Sequence, residues 1–160
     1  MAATATQQIL NNGPRNLVLK YTIAGTTGDT AAGALVDVSA LDADLGPQGL
    51  RLDKAQWSLT GFSCKLAWDA ATDVDLIELH DGEGEYDFSE FGGVTSNAGT
   101  GASGDVMFTT TGYLAGGNGG SFILHFKKRR RPTFVTSTQT INGTVGALSL
   151  AGIAPTIVVA

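Results

Sequence analysis

The chain has 160 residues, 22 of them glycine, with 16% charged residues and a formal net charge of −5. That length supports one sizeable core and little more, so one domain is expected. The acidic balance argues against nucleic acid as the main partner, since phosphate binding needs a net basic face, and the single cysteine, Cys64, excludes an intramolecular disulfide. Many Gly, Thr and Ala with few charges describe an all-β protein with many turns. Cys64 reads as a small core residue of a chain folded in a reducing compartment. MAATATQQIL lacks the basic and apolar regions of a secretory signal, and residues 145–160 are apolar but too short to span a bilayer. The expectation is a soluble protein made in the cytosol, with no membrane partner.

Residues 1–14 are small and polar, with Asn11-Asn12-Gly13-Pro14 as turn punctuation, and read as a flexible arm until a neighbour holds it. Leu17, Leu19, Tyr21 and Ile23 alternate with polar or smaller residues and give the first strand. A Gly/Thr-rich loop from Gly25 to Gly33 leads to a short strand over Leu35 to Val38, and Leu41 to Gly49 reads as a loop. From Arg51 to Gly93 the chain holds both tryptophans and the densest acidic cluster. There Trp57 and Leu59 are odd-numbered, whereas Phe62, Cys64, Leu66 and Trp68 are even-numbered. The parity changes at Gly61, so two strands, or one long bent strand, are expected to join there. Val74 to Leu79 is a short strand, and a helix over 70–79 is the weaker reading because Val, Ile and Thr lower helix propensity.

Val94 to Asp105 reads as a surface loop. Val106 to Gly112 and Phe122 to Phe126 alternate around a glycine-rich turn and are expected to pair as an antiparallel hairpin. Five basic residues, Lys127 to Arg131, precede Pro132. From Thr133 onward only extended structure suits the Thr/Val/Ile-rich composition, with enough apolar residues to need burial on the domain or on another chain. The expected architecture is an antiparallel β-sandwich, jelly-roll or immunoglobulin-like, over residues 15–131. An N-terminal arm over 1–14 and an extended C-terminal segment over 132–160 flank it.

Several residue sets invite chemistry. Asp81, Glu83, Glu85 and Asp87 alternate, so an extended strand would put four carboxylates on one side, where a hard cation could sit; a solvated hairpin tip at Gly82 and Gly84 is the plainer reading. Asp69, Asp73, Asp75 and Glu78 supply paired carboxylates of the kind glycosidases use, yet acidic residues this close mostly line turns. His80 and His125 fall in different strands without a second ligand at metal spacing, and Cys64 lies between inward-facing Phe62 and Leu66. Gly99 to Gly104 lacks a phosphate-loop lysine. No catalytic, cofactor-binding or metal-binding residue is assigned. The basic run Lys127 to Arg131 reads equally as an electrostatic docking element and as a solvated strand end that blocks edge pairing.

RNLVLKYTI at 15–23, LDKAQWSLTGFSCKLAWDAATDVDLIEL at 52–79, EGEYDFSEFGG at 83–93 and SGDVMFTTTGYLAGGNGGSFILHFKK at 103–128 together resemble a family of small structural proteins of tailed bacteriophages. The resemblance rests on W-S-L-x-G-F, then L-x-W-D-A, then F-x-x-F-G-G, and the segment GALSLAGIAPTIVV resembles C-terminal elements of phage virion proteins. It implies a non-enzymatic virion component, a decoration or cement protein that binds the major capsid protein on the outside of the head and stabilises it. The chain would be present in host cytoplasm during assembly and on the capsid surface afterwards, with a homotrimer as the natural state. On this role the contact residues are Ile9 and Leu10 in the arm, Lys127, Lys128, Arg129, Arg130 and Arg131 in the basic run, and Phe134, Ile141, Leu148, Leu150 and Ile153 in the tail. The alternatives are a phage tail or fibre component, and a carbohydrate-binding sandwich using Trp57, Trp68, Tyr86 and Tyr113, which the inward positions of both tryptophans disfavour. An enzyme ranks last.

Overall fold

In the computed structural model, the structure describes residues 2–25, 28–41, 45–114 and 116–129. The chain forms two antiparallel sheets packed face to face, the expected all-β sandwich. The six-stranded sheet runs in the order β1-β2-β10-β4-β7, with the short β8 also on β4. Its strands are β1 (Thr4–Asn12), β2 (Asn16–Ala24), β4 (Leu50–Thr60), β7 (Gly82–Asp87), β8 (Val94–Thr95) and β10 (Gly119–Lys128). The four-stranded sheet runs β3-β9-β5-β6, built from β3 (Gly33–Val36), β5 (Ser63–Trp68), β6 (Val74–Leu79) and β9 (Val106–Thr111). A four-residue helix, α1 (Val38–Leu41), follows β3, where the sequence suggested strand continuing to Val38.

Alternation fixes which side chains enter the core. Leu17, Leu19, Tyr21 and Ile23 of β2 and Phe122, Leu124 and Phe126 of β10 are all buried, facing Cys64, Leu66 and Trp68 of β5 and Val106 and Phe108 of β9. Strand β4 carries a register shift opposite His125/Phe126, so its inward row passes from Leu50 and Leu52 to Ala55, Trp57 and Leu59. Asp53 is the extra residue. The residue is 8% exposed, and its carboxylate accepts from Arg51 Nε at 2.8 Å, which satisfies the charge that the bulge tucks in. The parity change at Gly61 has a different cause from a bulge: there the chain leaves one sheet for the other. Gly61 has φ +81° and separates β4 from β5.

Two expectations are corrected. Residues 4–12, read as an arm awaiting a neighbour, form β1, paired with β2 from Thr4↔Ala24 to Asn12↔Leu17. Ala3 is buried, Ala5 packs on the core, and Gln7 Nε2 donates to Tyr21 Oη at 2.6 Å, so small or amide-bearing inward residues suffice once a strand partner exists. The expected hairpin of 106–112 with 122–126 is absent. β9 pairs β3 and β5, whereas β10 pairs β2 and β4 in the other sheet. Buried Tyr113 lies in the connection where it crosses the sandwich: Tyr113 Oη donates to Asn118 O at 2.7 Å, and Asp29 accepts from the backbone N–H of Gly112 and Tyr113 at 3.2 and 2.9 Å. Asn118 Nδ2 donates to Gly61 O and Gly112 O at 3.0 and 3.1 Å, so one amide holds both crossovers.

Candidate functional site

Among the described residues, one of the four exposed large hydrophobic side chains, Leu114, 75% exposed, lies in the β9-to-β10 crossover itself. The other three, Ile9, Leu10 and Phe91, lie at the end of the six-stranded sheet opposite those crossovers. Here β10 runs off the sheet, with Lys128 N donating to Arg15 O at 2.8 Å and Arg129 N to Gly49 O at 2.7 Å. Alternation puts Lys127 on the outer face beside His125 and Lys128 on the inner row beyond Phe126. The two ammonium groups reach towards β1 and β2: Lys127 Nζ donates to Asn16 Oδ1 at 2.7 Å and Lys128 Nζ to Asn12 Oδ1 at 2.5 Å.

Those contacts bring the basic run next to the last turn of β1. Ile9 and Leu10 are 48% and 47% exposed, and the register shift between Ile9 and Asn11 leaves Leu10 without a cross-strand partner. Of the sequence-predicted contact residues, Ile9, Leu10, Lys127, Lys128 and Arg129 therefore gather at one end of one sheet. Arg130, Arg131, Phe134, Ile141, Leu148, Leu150 and Ile153 lie outside the described residues.

Sequence reasoning missed two parts of this end. The first is Phe91, 73% exposed in the 3₁₀ turn Ser89–Phe91 that follows β7. Phe88 N donates to Asp53 O and Gly93 N to Phe88 O, both at 2.8 Å, which anchors the turn on the β4 bulge. Gly92 and Gly93 follow at φ +90° and +74°, so the F-x-x-F-G-G pattern is a turn that needs two left-handed residues to return the chain to β8. Phe91 closes an aromatic row, Trp57–Tyr86–Phe88–Phe91, with ring centroids 4.9, 5.7 and 5.9 Å apart in turn. The signal was available, because an aromatic directly before Gly-Gly has no neighbouring position in which to hide.

The second is a concavity of about 340 Å³ on the outer face, lined by His125 together with Val18, Asn16, Asp53, Lys54, Asp87 and Lys127. Burial, foremost, pushes the His125 imidazole below its ordinary value, with Lys54 acting in the same direction and Glu85, Asp53 and Asp87 opposing. Lys54 pairs with Glu85 at 3.0 Å. The Lys54 ammonium and then the Gln56 amide hold the Glu85 carboxyl below its usual range, and the Ser89 hydroxyl and N–H do the same for Asp87. The face thus sets the Lys54–Glu85 ion pair and the Ser89-held Asp87 carboxylate around an imidazole whose charged form burial disfavours, bordered by the basic residues at the end of β10.

The remaining candidates take individual structural tasks. Glu83, Glu85 and Asp87 do share the outer side of β7, a strand and not a hairpin tip. They hold Ser58 Oγ at 3.3 Å, Gln56 Nε2 at 2.6 Å and Ser89 N at 2.9 Å respectively. Asp81 lies before the strand and accepts from Gly61 N at 2.7 Å. Among the described residues no three His, Cys, Asp or Glu side chains converge as metal ligands would. Asp69 accepts from Ser103 Oγ at 2.6 Å, Asp73 from Ala70 N at 3.2 Å, and Asp75 pairs with Lys65 at 3.0 Å. Cys64 is buried, and burial pushes its thiol up to about 12. Of the rings proposed for a glycan platform, Trp68 and Tyr113 are fully buried. Trp57 is half-buried over Gly84, with Nε1 donating to His80 O at 3.0 Å.

Compared with known proteins, the chain matches no family model and no curated protein. No helix among the described residues is long and apolar enough to cross a membrane.

Proposed function

We propose that this chain is a non-enzymatic structural component of a bacteriophage virion, a decoration or cement protein that binds the outer capsid surface through the end of its six-stranded sheet. The observation that carries the reading is the convergence at that end. The basic exit Lys127 to Arg129 is flanked by exposed apolar side chains, Ile9 and Leu10 on one rim and Phe91 on the other. From β1 to β7 that end spans four strand spacings, about 19 Å, a scale suited to one patch on a neighbouring subunit. An aromatic and aliphatic pair of anchors with a charged strip between them is the composition of a protein-docking surface, where buried anchors supply affinity and charges supply register and on-rate. On a symmetric shell, many copies of a modest contact hold through avidity. On this reading the chain passes through host cytoplasm during assembly and ends on the virion surface, with the major capsid protein as partner, and no catalytic residue is assigned.

The test is sedimentation of the purified chain with capsids assembled from the cognate major capsid protein. The triple reversal Lys127→Glu, Lys128→Glu, Arg129→Glu is expected to weaken binding by about tenfold or more at physiological salt, and Phe91→Ala to weaken it independently. Unchanged binding in both variants would sink the assignment of this end. Copy number in purified virions, near one per capsid subunit, is the expected companion result; a small fraction of that would move the protein to the tail or its fibres.

A further inference from the structure

We propose that β1 is a self-association strand: two copies of this chain pair β1 to β1, antiparallel, across a two-fold axis at Gln7. The inference does not rest on the capsid reading. The four sheet edges are not protected alike. β7 carries Glu83, Glu85 and Asp87, β6 carries Asp75 and Glu78, and β3 has only four residues. Charges and shortness are the usual means by which an edge refuses a further strand. β1 has nine residues, no charge and no proline, and among the described residues no strand pairs its outer edge.

The sequence of β1 is self-complementary in one register. An antiparallel pair keeps the two faces of the sheet only when residues of like parity oppose each other. With Gln7 opposite Gln7, Ile9 of one copy falls opposite Ala5 of the other on the core-facing side, and Thr6 falls opposite Gln8 on the outer side. Ile9, 48% exposed in the single chain, is then covered by the second copy beside a residue small enough to admit it, which leaves Leu10 and Phe91 as the apolar rims of the docking end. Leu10, at the register shift, falls opposite Thr4 and ends the pairing. Electrostatics agree. Each Lys128 sits on Asn12, five residues from the axis, so the two basic ends lie about 34 Å apart at about 3.4 Å per residue, well beyond the screening length of about 8 Å at physiological salt. Residues 133–160 also carry no charge and are the competing occupant of this edge. The second copy is favoured because the register above satisfies both faces of β1 with β1 itself. A two-fold pair differs from the threefold state that the phage resemblance implies, so measured mass decides between them.

Light scattering on the purified full chain is expected to give twice the 16.4 kDa protomer mass. The double variant Thr6→Lys, Gln8→Lys places like charges opposite each other twice across the axis and should raise the dissociation constant by about tenfold, with an unchanged far-ultraviolet circular dichroism spectrum. Gln7→Cys should form an interchain disulfide under mild oxidation, with no background from buried Cys64. A monomer or trimer for the unmodified chain overturns the proposal, as does a dimer indifferent to the lysines or a dimer in which the Gln7→Cys thiols do not join. A monomer with a protected Gln7→Cys thiol would give the edge to residues 133–160 instead.

Discussion

Replacing Tyr113 tests whether the β9-to-β10 connection holds the sandwich closed. The ring is fully buried and meets Phe62 edge-on at 5.0 Å, while its hydroxyl donates to Asn118 O at 2.7 Å. Tyr113→Phe removes the hydrogen bond alone and should cost about 1 kcal/mol. Tyr113→Ala removes the ring as well, and truncation of a buried aromatic costs about 3–5 kcal/mol because the cavity collapses only in part. In urea, with a slope of about 2 kcal/mol per molar, the midpoint should fall by about 0.5 M for the first variant and about 2 M for the second. A double-mutant cycle with Phe62→Leu isolates the ring pair, whose coupling should be about 0.5–1.5 kcal/mol. If Tyr113→Ala shifts the midpoint no more than Tyr113→Phe does, the ring is not a plug and the account of the crossover fails.

Acid stability follows from the carboxylates at the two ends of the sandwich. The Tyr113 N–H, foremost, with the Gly112 N–H and the Thr110 hydroxyl, holds Asp29 below the usual carboxylate range, and Lys54 and Ser89 do the same for Glu85 and Asp87. A carboxyl depressed in the folded state binds fewer protons there than when unfolded. Its contribution is therefore present above the unfolded value, about pH 4, and is lost as pH falls through the folded one. The urea midpoint should fall from about pH 5 to about pH 3, and Asp29→Asn should flatten that slope; an equally steep slope in the variant would refute the role given to Asp29. Gly84→Ala sets a methyl against the six-membered ring of Trp57. The indole should leave its place over β7, the bond to His80 O should break, and tryptophan emission should shift to the red, whereas an unshifted spectrum would show that the ring does not depend on that glycine.

The candidate site was legible in pieces. Ile9, Leu10 and Lys127 to Arg129 were visible as an apolar pair and a charge run that no core could use, yet they lie at opposite ends of the described chain. Their meeting depends on β1 and β10 flanking β2, and register between strands is a property of pairs that no single strand displays. Phe91 carried a signal in the Gly-Gly that follows it, but its place at this end depends on the β4 bulge at Asp53, which fixes the turn after β7. His125 was harder to see, because it looks ordinary in its own strand and becomes conspicuous only beside the hollow on the outer face.

By itself the sequence determined the fold class and most of the inward rows: alternation at Leu17 to Ile23, Phe62 to Trp68 and Phe122 to Phe126 commits each strand to one buried face before any partner is known. Even the parity change at Gly61 was written there, though not whether it meant a bulge or a crossing. The tertiary structure decided the partners. It placed β10 between β2 and β4 and not beside β9, and it made an edge strand of Thr4 to Asn12, a segment whose own residues bury too little to announce one. Period-two alternation records burial, which is local, while strand pairing is settled by backbone hydrogen bonds that every residue type makes alike.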